Sequence, residues 1–255
     1  MVESIVSWNV NGIRAAEKKG LLEYMAGEGA DVVCLQETKA RPEQLSEELM
    51  RPAGYTSFFS SAEKAGYSGV AVYTREKPLS ADRLRAAEFD AEGRALVVEY
   101  PDFVLINGYF PNSQDGGKRL DYKLGYCEVV LNLCNSLVGE GKNVVVCGDY
   151  NIAHRPIDLA RPDQNEGNAG YLPEERAWMS KYLDAGYVDT FRMFNSEGGN
   201  YTWWSYRTRG RERNVGWRLD YFCVNEAFAG RVKSSEIRSE VMGSDHCPVA
   251  LTIGE

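Results

Sequence analysis

The sequence predicts an α/β fold with two packed β-sheets inside and helices outside. Short apolar or alternating runs of strand length recur along all 255 residues, and helical stretches separate them. The two halves also echo each other weakly: each carries a strand ending in acids or amides, then helices, then further strands. Sheets buried against each other and covered by amphipathic helices satisfy that pattern. No Pro-, Gly- or Ser-rich linker, charge block or low-complexity segment interrupts it, so residues 1–255 read as one domain.

The expected strands, in order, are residues 4–10, 31–36, 56–60, 68–73, 95–99, 103–109, 143–147, 218–224 and 248–253. Each is a run of β-branched, aromatic or aliphatic residues bounded by turn formers. The clearest helix places Leu120, Leu124, Cys127, Leu131, Cys134 and Val138 at alternating steps of four and three, a single apolar stripe facing a core. A second helix starts near Pro173, with Glu174 and Glu175 in its first turn, and stops by Gly186.

Composition narrows the function classes. No apolar run approaches the roughly 18 residues a membrane span needs, and no N-terminal segment has the form of a secretion signal, so a cytoplasmic, membrane-free protein is expected. The six cysteines are scattered without a C-x-x-C pair and several sit in apolar runs, which suits buried reduced thiols. A net charge of −8 argues against a protein that coats nucleic acid nonspecifically, although a local basic face remains compatible with it.

The informative pattern is the chemistry at the ends of strands. Apolar runs break off into Trp8-Asn9-Val10-Asn11, Gln36-Glu37-Thr38-Lys39 and Gly148-Asp149-Tyr150-Asn151; Asp220 lies within WRLDYF, and Asp245-His246 precedes Cys-Pro-Val. A single carboxylate after a strand is usually a turn former or helix cap. Together, strand ends on one sheet edge would gather Glu37, Asp149, Asp220, Asp245, amides and a histidine into one acidic cleft. Such a hard-oxygen environment suits magnesium or manganese, and with two histidines in the chain it does not suit zinc.

Here the motifs carry a family resemblance. SWNVNGIRA, LQETK, GYSGVAVYT, YFPN, GDYNIAH with IDLARP, GYVDTF, YTWWSY, NVGWRLDYF and GSDHCPV resemble, in order and spacing, the exonuclease III family of apurinic/apyrimidinic endonucleases. The resemblance spans almost the whole chain. It implies a four-layer α/β sandwich of two mixed sheets flanked by helices, and hydrolysis of the phosphodiester 5′ to abasic sites in duplex DNA, leaving a 3′-hydroxyl. A 3′-to-5′ exonuclease or 3′-end-cleaning activity, and incision at uracil-containing nucleotides, are accompanying expectations, as is action as a monomer.

The resemblance also assigns roles. Glu37 is the principal magnesium ligand, manganese being a substitute, with Asn9, Asn11, Asp149, Asn151, Asp245 and His246 around the ion and Lys39 tying the region together. Some family members carry Asp where this chain has Asn11, so the charge near the ion is lower here. Asp149 resembles the residue that orients or deprotonates the attacking water, which Asn151 positions; Tyr109 is a second candidate for activating water. Tyr109 and Asn112 should hydrogen-bond the phosphate. His246 should contact a nonbridging oxygen, with Asp220 accepting its other ring proton, whereas His154 reads as a buttress of the Asp149 loop.

Substrate recognition is expected from YTWWSYRTRGRERNVGWRLDYF, where arginines 207, 209, 211, 213 and 218 interleave with aromatic residues. Trp203, Trp217 and Leu219 match the wall of a pocket for an extrahelical, baseless sugar. Arg207 or Arg209 would enter the gap left in the stack, and Trp204 reads as core. The rival readings are a phosphatase or phosphodiesterase of the same superfamily and a noncatalytic DNA-binding protein on the same scaffold. The Trp-rich segment speaks against the first, and the presence of Glu37, Asp149, Asn151, Asp220 and His246 against the second.

Overall fold

The structure is a computed structural model that describes residues 1–254. Its twelve strands form two six-stranded sheets. They are β1 (Ser4–Asn9), β2 (Val32–Gln36), β3 (Thr56–Ser60), β4 (Val70–Thr74), β5 (Ser80–Asp82), β6 (Ala95–Glu99), β7 (Val104–Tyr109), β8 (Val144–Asp149), β9 (Tyr187–Asp189), β10 (Asp220–Asn225), β11 (Val232–Ile237) and β12 (Val249–Ile253). The first sheet runs β11-β12-β1-β2-β4-β3 and the second β5-β6-β7-β8-β10-β9. Only β1–β2 and β7–β8 pair in parallel, so both sheets are mixed.

Three cores make the layers. Ile5, Val32, Val72, Leu105, Val145 and Leu251 fill the space between the sheets. The helices Ile13–Glu17 and Leu21–Glu28 close the outer face of the first sheet through Ile13, Leu21 and Met25. The helices Leu120–Gly139 and Pro173–Asp184 close that of the second through Tyr126, Val130, Cys134, Trp178 and Tyr182. This is the expected four-layer sandwich. All six cysteines are free and buried, and among the described residues no helix is long and apolar enough to cross a membrane.

Every strand expected from the sequence is present, with ends moved by up to two residues. β5, β9 and β11 were not expected. The first two are three-residue edge strands, too short to show a period. In β11 a register shift between Val232 and Ser234 breaks the alternation. The Leu120–Gly139 helix buries Lys123, Tyr126, Cys127, Val130, Leu131, Cys134 and Leu137, while Val138 is exposed. The expected stripe was therefore rotated: the true one includes a charged residue, which apolar periodicity cannot reveal. Lys123 is tolerated because Glu175 meets it at 2.6 Å and the Asn151 carbonyl accepts from it at 2.6 Å.

Topology brings the polar strand ends together. Parallel β1 and β2 finish side by side, Asn9 opposite Gln36, and antiparallel β12 begins beside β1, which puts Asp245 and His246 at the same edge. In the other sheet Tyr109 pairs with Asp149 at the ends of β7 and β8, and antiparallel β10 starts with Asp220 opposite Asp149. Close approach requires glycine at position 148: φ is +134°, and a Cβ there would lie 1.8 Å from the Gly108 carbonyl oxygen.

Candidate active site

These edges enclose a cleft of about 480 Å³ lined by Glu37, Tyr109, Asn112, Asp149, Asn151, Trp203, Trp217, Leu219, Asp245 and His246. Asn11, Glu37, Lys39 and Asn151 all hold φ near +50°, a region that costs an L-residue roughly 1–3 kcal/mol. The chain turns sharply beyond these strands, and of the four Glu37 and Asn151 line the cleft.

The carboxylates are joined by amides. Asn9 Nδ2 donates to Glu37 Oε1 and to Asp149 Oδ2, both at 2.9 Å, while its oxygen accepts the Asn11 backbone N–H. Two anions facing one side-chain group require the NH₂ end of the amide there. Asn11 donates to Asp245 Oδ1 at 2.9 Å and accepts from Lys39 Nζ. Lys39 also meets Glu37 Oε2 at 2.7 Å. Asp149 accepts from the Asn151 backbone at 2.8 Å and its side chain at 3.1 Å, and Asn151 Oδ1 accepts from Asn112 at 3.0 Å.

His246 Nδ1 lies 2.8 Å from Asp220 Oδ2, and Nε2 lies 3.8 Å from Asp149 Oδ2. Burial by itself would lower the imidazole pKa, but the Asp220 and Asp149 carboxylates outweigh it and push it up to about 10. Burial, with Asp220 and Glu37 nearby, raises Asp149 to about 7 against the pull of His246. Glu37 is also pushed up by burial, yet Lys39 and the Asn9 bond hold it below the usual carboxylate range. Tyr109 is driven well above the ordinary phenol value by burial and by Glu37, so it remains a donor. The environment thus separates a fixed carboxylate, Glu37, from one that can take a proton, Asp149.

Glu37, Asp149 and His246 each offer an atom within 4.8 Å of the others. The two carboxylates fit a hard divalent cation, whereas an imidazolium has no free lone pair to give. Asp245 lies at the rim, held by Asn11 and by Trp203 Nε1 at 3.1 Å.

The apolar wall stands beside this cluster. Trp203 and Trp217 meet edge to face at 6.3 Å, Tyr171 packs edge-on against Trp217 at 6.3 Å, and Leu219 lies in the same cluster. Trp204 is core, as expected. His154 meets Ser180 Oγ at 2.8 Å and takes no part in the cleft.

The arginine expectation divides. Arg207 and Arg209 are exposed at the rim of the Trp-rich loop. Arg218 is 1% exposed and locked between Asp158 and Asp189, and Arg211 spends its guanidinium on the carbonyls of Ser239 and Val241 while stacking on Trp204. Arg213 donates to the Thr208 carbonyl. Arg211 and Arg218 are therefore structural, and both were misplaced among the phosphate-facing cations. Residues 167–170 and Asp115-Gly116 line the cleft without having been expected there. The Gly- and Asn-rich stretch NEGNAG was the available signal, a loop composition lying close to GDYNIAH.

The chain shows extended similarity to known proteins. It is 42% identical over 252 residues to an exodeoxyribonuclease of Bacillus subtilis, covering 98% of each chain. It is also 42% identical to a DNA-(apurinic or apyrimidinic site) endonuclease of Dictyostelium discoideum, covering 98% of this chain and 70% of that one. The crystal structure of an AP endonuclease from Leishmania major superposes with a TM-score of 0.89 at 30% identity, over 100% of this chain and 88% of that one. With residues 6–246 matching the family's pattern as well, the protein belongs to the endonuclease/exonuclease/phosphatase family.

Proposed function

We propose that the protein is a DNA-repair nuclease that, with magnesium, hydrolyses the phosphodiester 5′ to an abasic site in duplex DNA and leaves a 3′-hydroxyl. The same site would trim or clean 3′ ends, and incision at uracil-containing nucleotides is a further activity of this reading. The observation that carries it is the sharing of one cleft by the Glu37–Asp149–His246 cluster and the Trp203–Trp217–Leu219 wall. A phosphodiester centre is thereby set beside an apolar recess.

Glu37 and Asp149 would hold the divalent ion, which when bound would neutralise phosphate charge and acidify a nearby water. Asp149 is the group placed to accept the proton of the attacking water, and Asn151 orients that water through its bond to Asp149. The His246 imidazolium, steadied by Asp220, stabilises the charge that develops on a nonbridging oxygen. Tyr109 and Asn112 donate to the same phosphate. The recess admits a sugar without a base: flipping a normal nucleotide costs a few kcal/mol of stacking, and its base would meet the tryptophan wall. Exposed Arg207 and Arg209 would contact the strand outside the recess.

The test is magnesium-dependent cleavage of end-labelled duplexes carrying one abasic site, one uracil or a blunt end. The reading expects a single incision 5′ to the abasic site at a rate above the others. Cleavage of inositol phosphates with intact abasic DNA would replace it by a phosphatase reading.

A further inference from the structure

The two carboxylates of the proposed ion site come from different sheets. Glu37 follows β2 in the first and Asp149 ends β8 in the second, so their separation depends on how one sheet sits on the other. Most of that interface is aliphatic, with Ile5, Val32, Val72, Leu105 and Val145 fully buried. Aliphatic contact is non-directional and tolerates small slides.

Directly beneath the site the interface changes character. Ser7, Gln36 and Asn107 are fully buried. Gln36 Nε2 donates to Ser7 Oγ at 2.9 Å and to Asn107 Oδ1 at 2.7 Å. The Asn107 amide donates in turn to the carbonyls of Ala71 at 2.9 Å and Leu35 at 3.2 Å. A single side chain of β7 is thus bonded to both β2 and β4 of the opposite sheet. Position along each strand matters as much. Gln36 immediately precedes Glu37, Ser7 lies two residues before Asn9, and Asn107 lies two before Tyr109, opposite Cys147, which is itself two before Asp149.

Such a network adds little net stability. The amides give up bonds to water, and Gln36 Oε1 has no partner among the described residues; apolar residues of the same shape are commonly neutral or better. What directional bonds add to an aliphatic interface is register. We propose that Asn107 and Gln36 are positioning residues that lock the sheets in the register bringing Glu37 to Asp149, and so set the affinity of the cleft for its divalent ion. The proposal rests on the reading of those carboxylates as the ion's ligands.

Asn107→Leu removes all three bonds that cross between the sheets and Gln36→Met removes the one to Asn107, leaving those to Leu35 and Ala71, while Val72→Ala loosens the same interface without touching any of them. Three properties of the DNA-free protein are measured: Mn²⁺ binding by calorimetry, thermal unfolding, and solvent exchange of the Asn9 side-chain amide protons by NMR. Those protons bridge Glu37 and Asp149 and report the register without any metal. Both lock variants leave a buried polar partner unpaired and should melt roughly 2–12 °C below wild type while staying folded. They should also bind Mn²⁺ at least about tenfold more weakly, as supporting residues behind metal ligands do, and exchange the Asn9 protons faster. Val72→Ala should lower the Tm and leave Mn²⁺ affinity unchanged.

A folded Asn107→Leu protein with wild-type Mn²⁺ affinity and wild-type Asn9 protection overturns the lock, as does an affinity loss that Val72→Ala reproduces. If Asn107→Leu does not fold, Gln36→Met decides by the same readouts. A wild-type protein that binds no Mn²⁺ refutes the metal reading instead, and Asn9 exchange then judges the lock alone.

Discussion

Two carboxylates less than 5 Å apart carry different protonation tendencies because their neighbours differ. Lys39 and Asn9 fix Glu37 as an anion, whereas burial beside Asp220 and Glu37 prepares Asp149 to take a proton. Replacing Glu37 with Gln removes the fixed charge, and the magnesium concentration for half-maximal cleavage should rise by at least about tenfold while DNA affinity changes little. A metal titration beside a binding isotherm checks it, and an unchanged magnesium requirement removes Glu37 from the ion site. Asp149→Asn should slow single-turnover cleavage of abasic DNA by at least ~10²-fold, the lower range for losing a positioned base. Trp217 is only half-buried and touches Trp203 and Tyr171 through ring edges, so truncation should spare the core. Trp217→Ala should reduce the preference for abasic over intact duplex by roughly tenfold or more, the value of a lost apolar contact plus relaxed exclusion. Parallel melting curves separate that result from simple destabilisation, which would lower all activities together.

At the scale of elements, the site depends on strands ending at one edge with little room between them. β7 and β8 run parallel with Gly108 opposite Gly148, and the +134° φ at Gly148 turns Asp149 toward the cleft. Gly148→Ala forces a methyl group into the Gly108 carbonyl and strains the backbone at once. We expect a loss of about 3 kcal/mol or more in chemical denaturation, overpacking and φ strain each costing ~1–3 kcal/mol. A Gly148→Ala protein with wild-type stability would mean that β8 can bend away freely.

Across the whole molecule, a buried ion network joins segments distant in sequence. Asp158 Oδ1 accepts from Arg218 Nε at 2.8 Å and from Arg192 Nη2 at 2.6 Å, and Arg218 bridges onward to Asp189 at 2.7 Å. Burial alone would raise the Asp158 pKa, but Arg218 and Arg192 hold it below the ordinary carboxylate value. Since the folded value lies below the unfolded one, near ~3.9, the associated stability is complete above that pH and is lost as pH falls through the folded value. Asp158→Asn should therefore cost on the order of 3 kcal/mol near neutral pH, the penalty of breaking a buried pair. The difference between variant and wild type should narrow below about pH 4. Denaturation curves from pH 7 to 3 measure it, and a difference independent of pH would assign the effect to packing.

Nine of the twelve strands, the two clearest helices, the motif residues that meet in the cleft and the buried thiols were legible in the sequence. Those features are written locally: β2 and β8 are continuous apolar runs because both their faces are covered, and Glu37 and Asp149 stand where those runs stop. Which polar groups met each other depended on the packing of the layers. Arg218 looked like a phosphate contact because it lies among aromatics, yet Asp158 is 60 residues away in sequence and claims it. Lys123 entered a core stripe because Glu175, 52 residues on, neutralises it, and residues 167–170 reached the cleft by folding over Trp217. Periodicity records which face of an element leaves water; it carries no information about which charge waits on the element opposite, and that pairing is settled when the layers close.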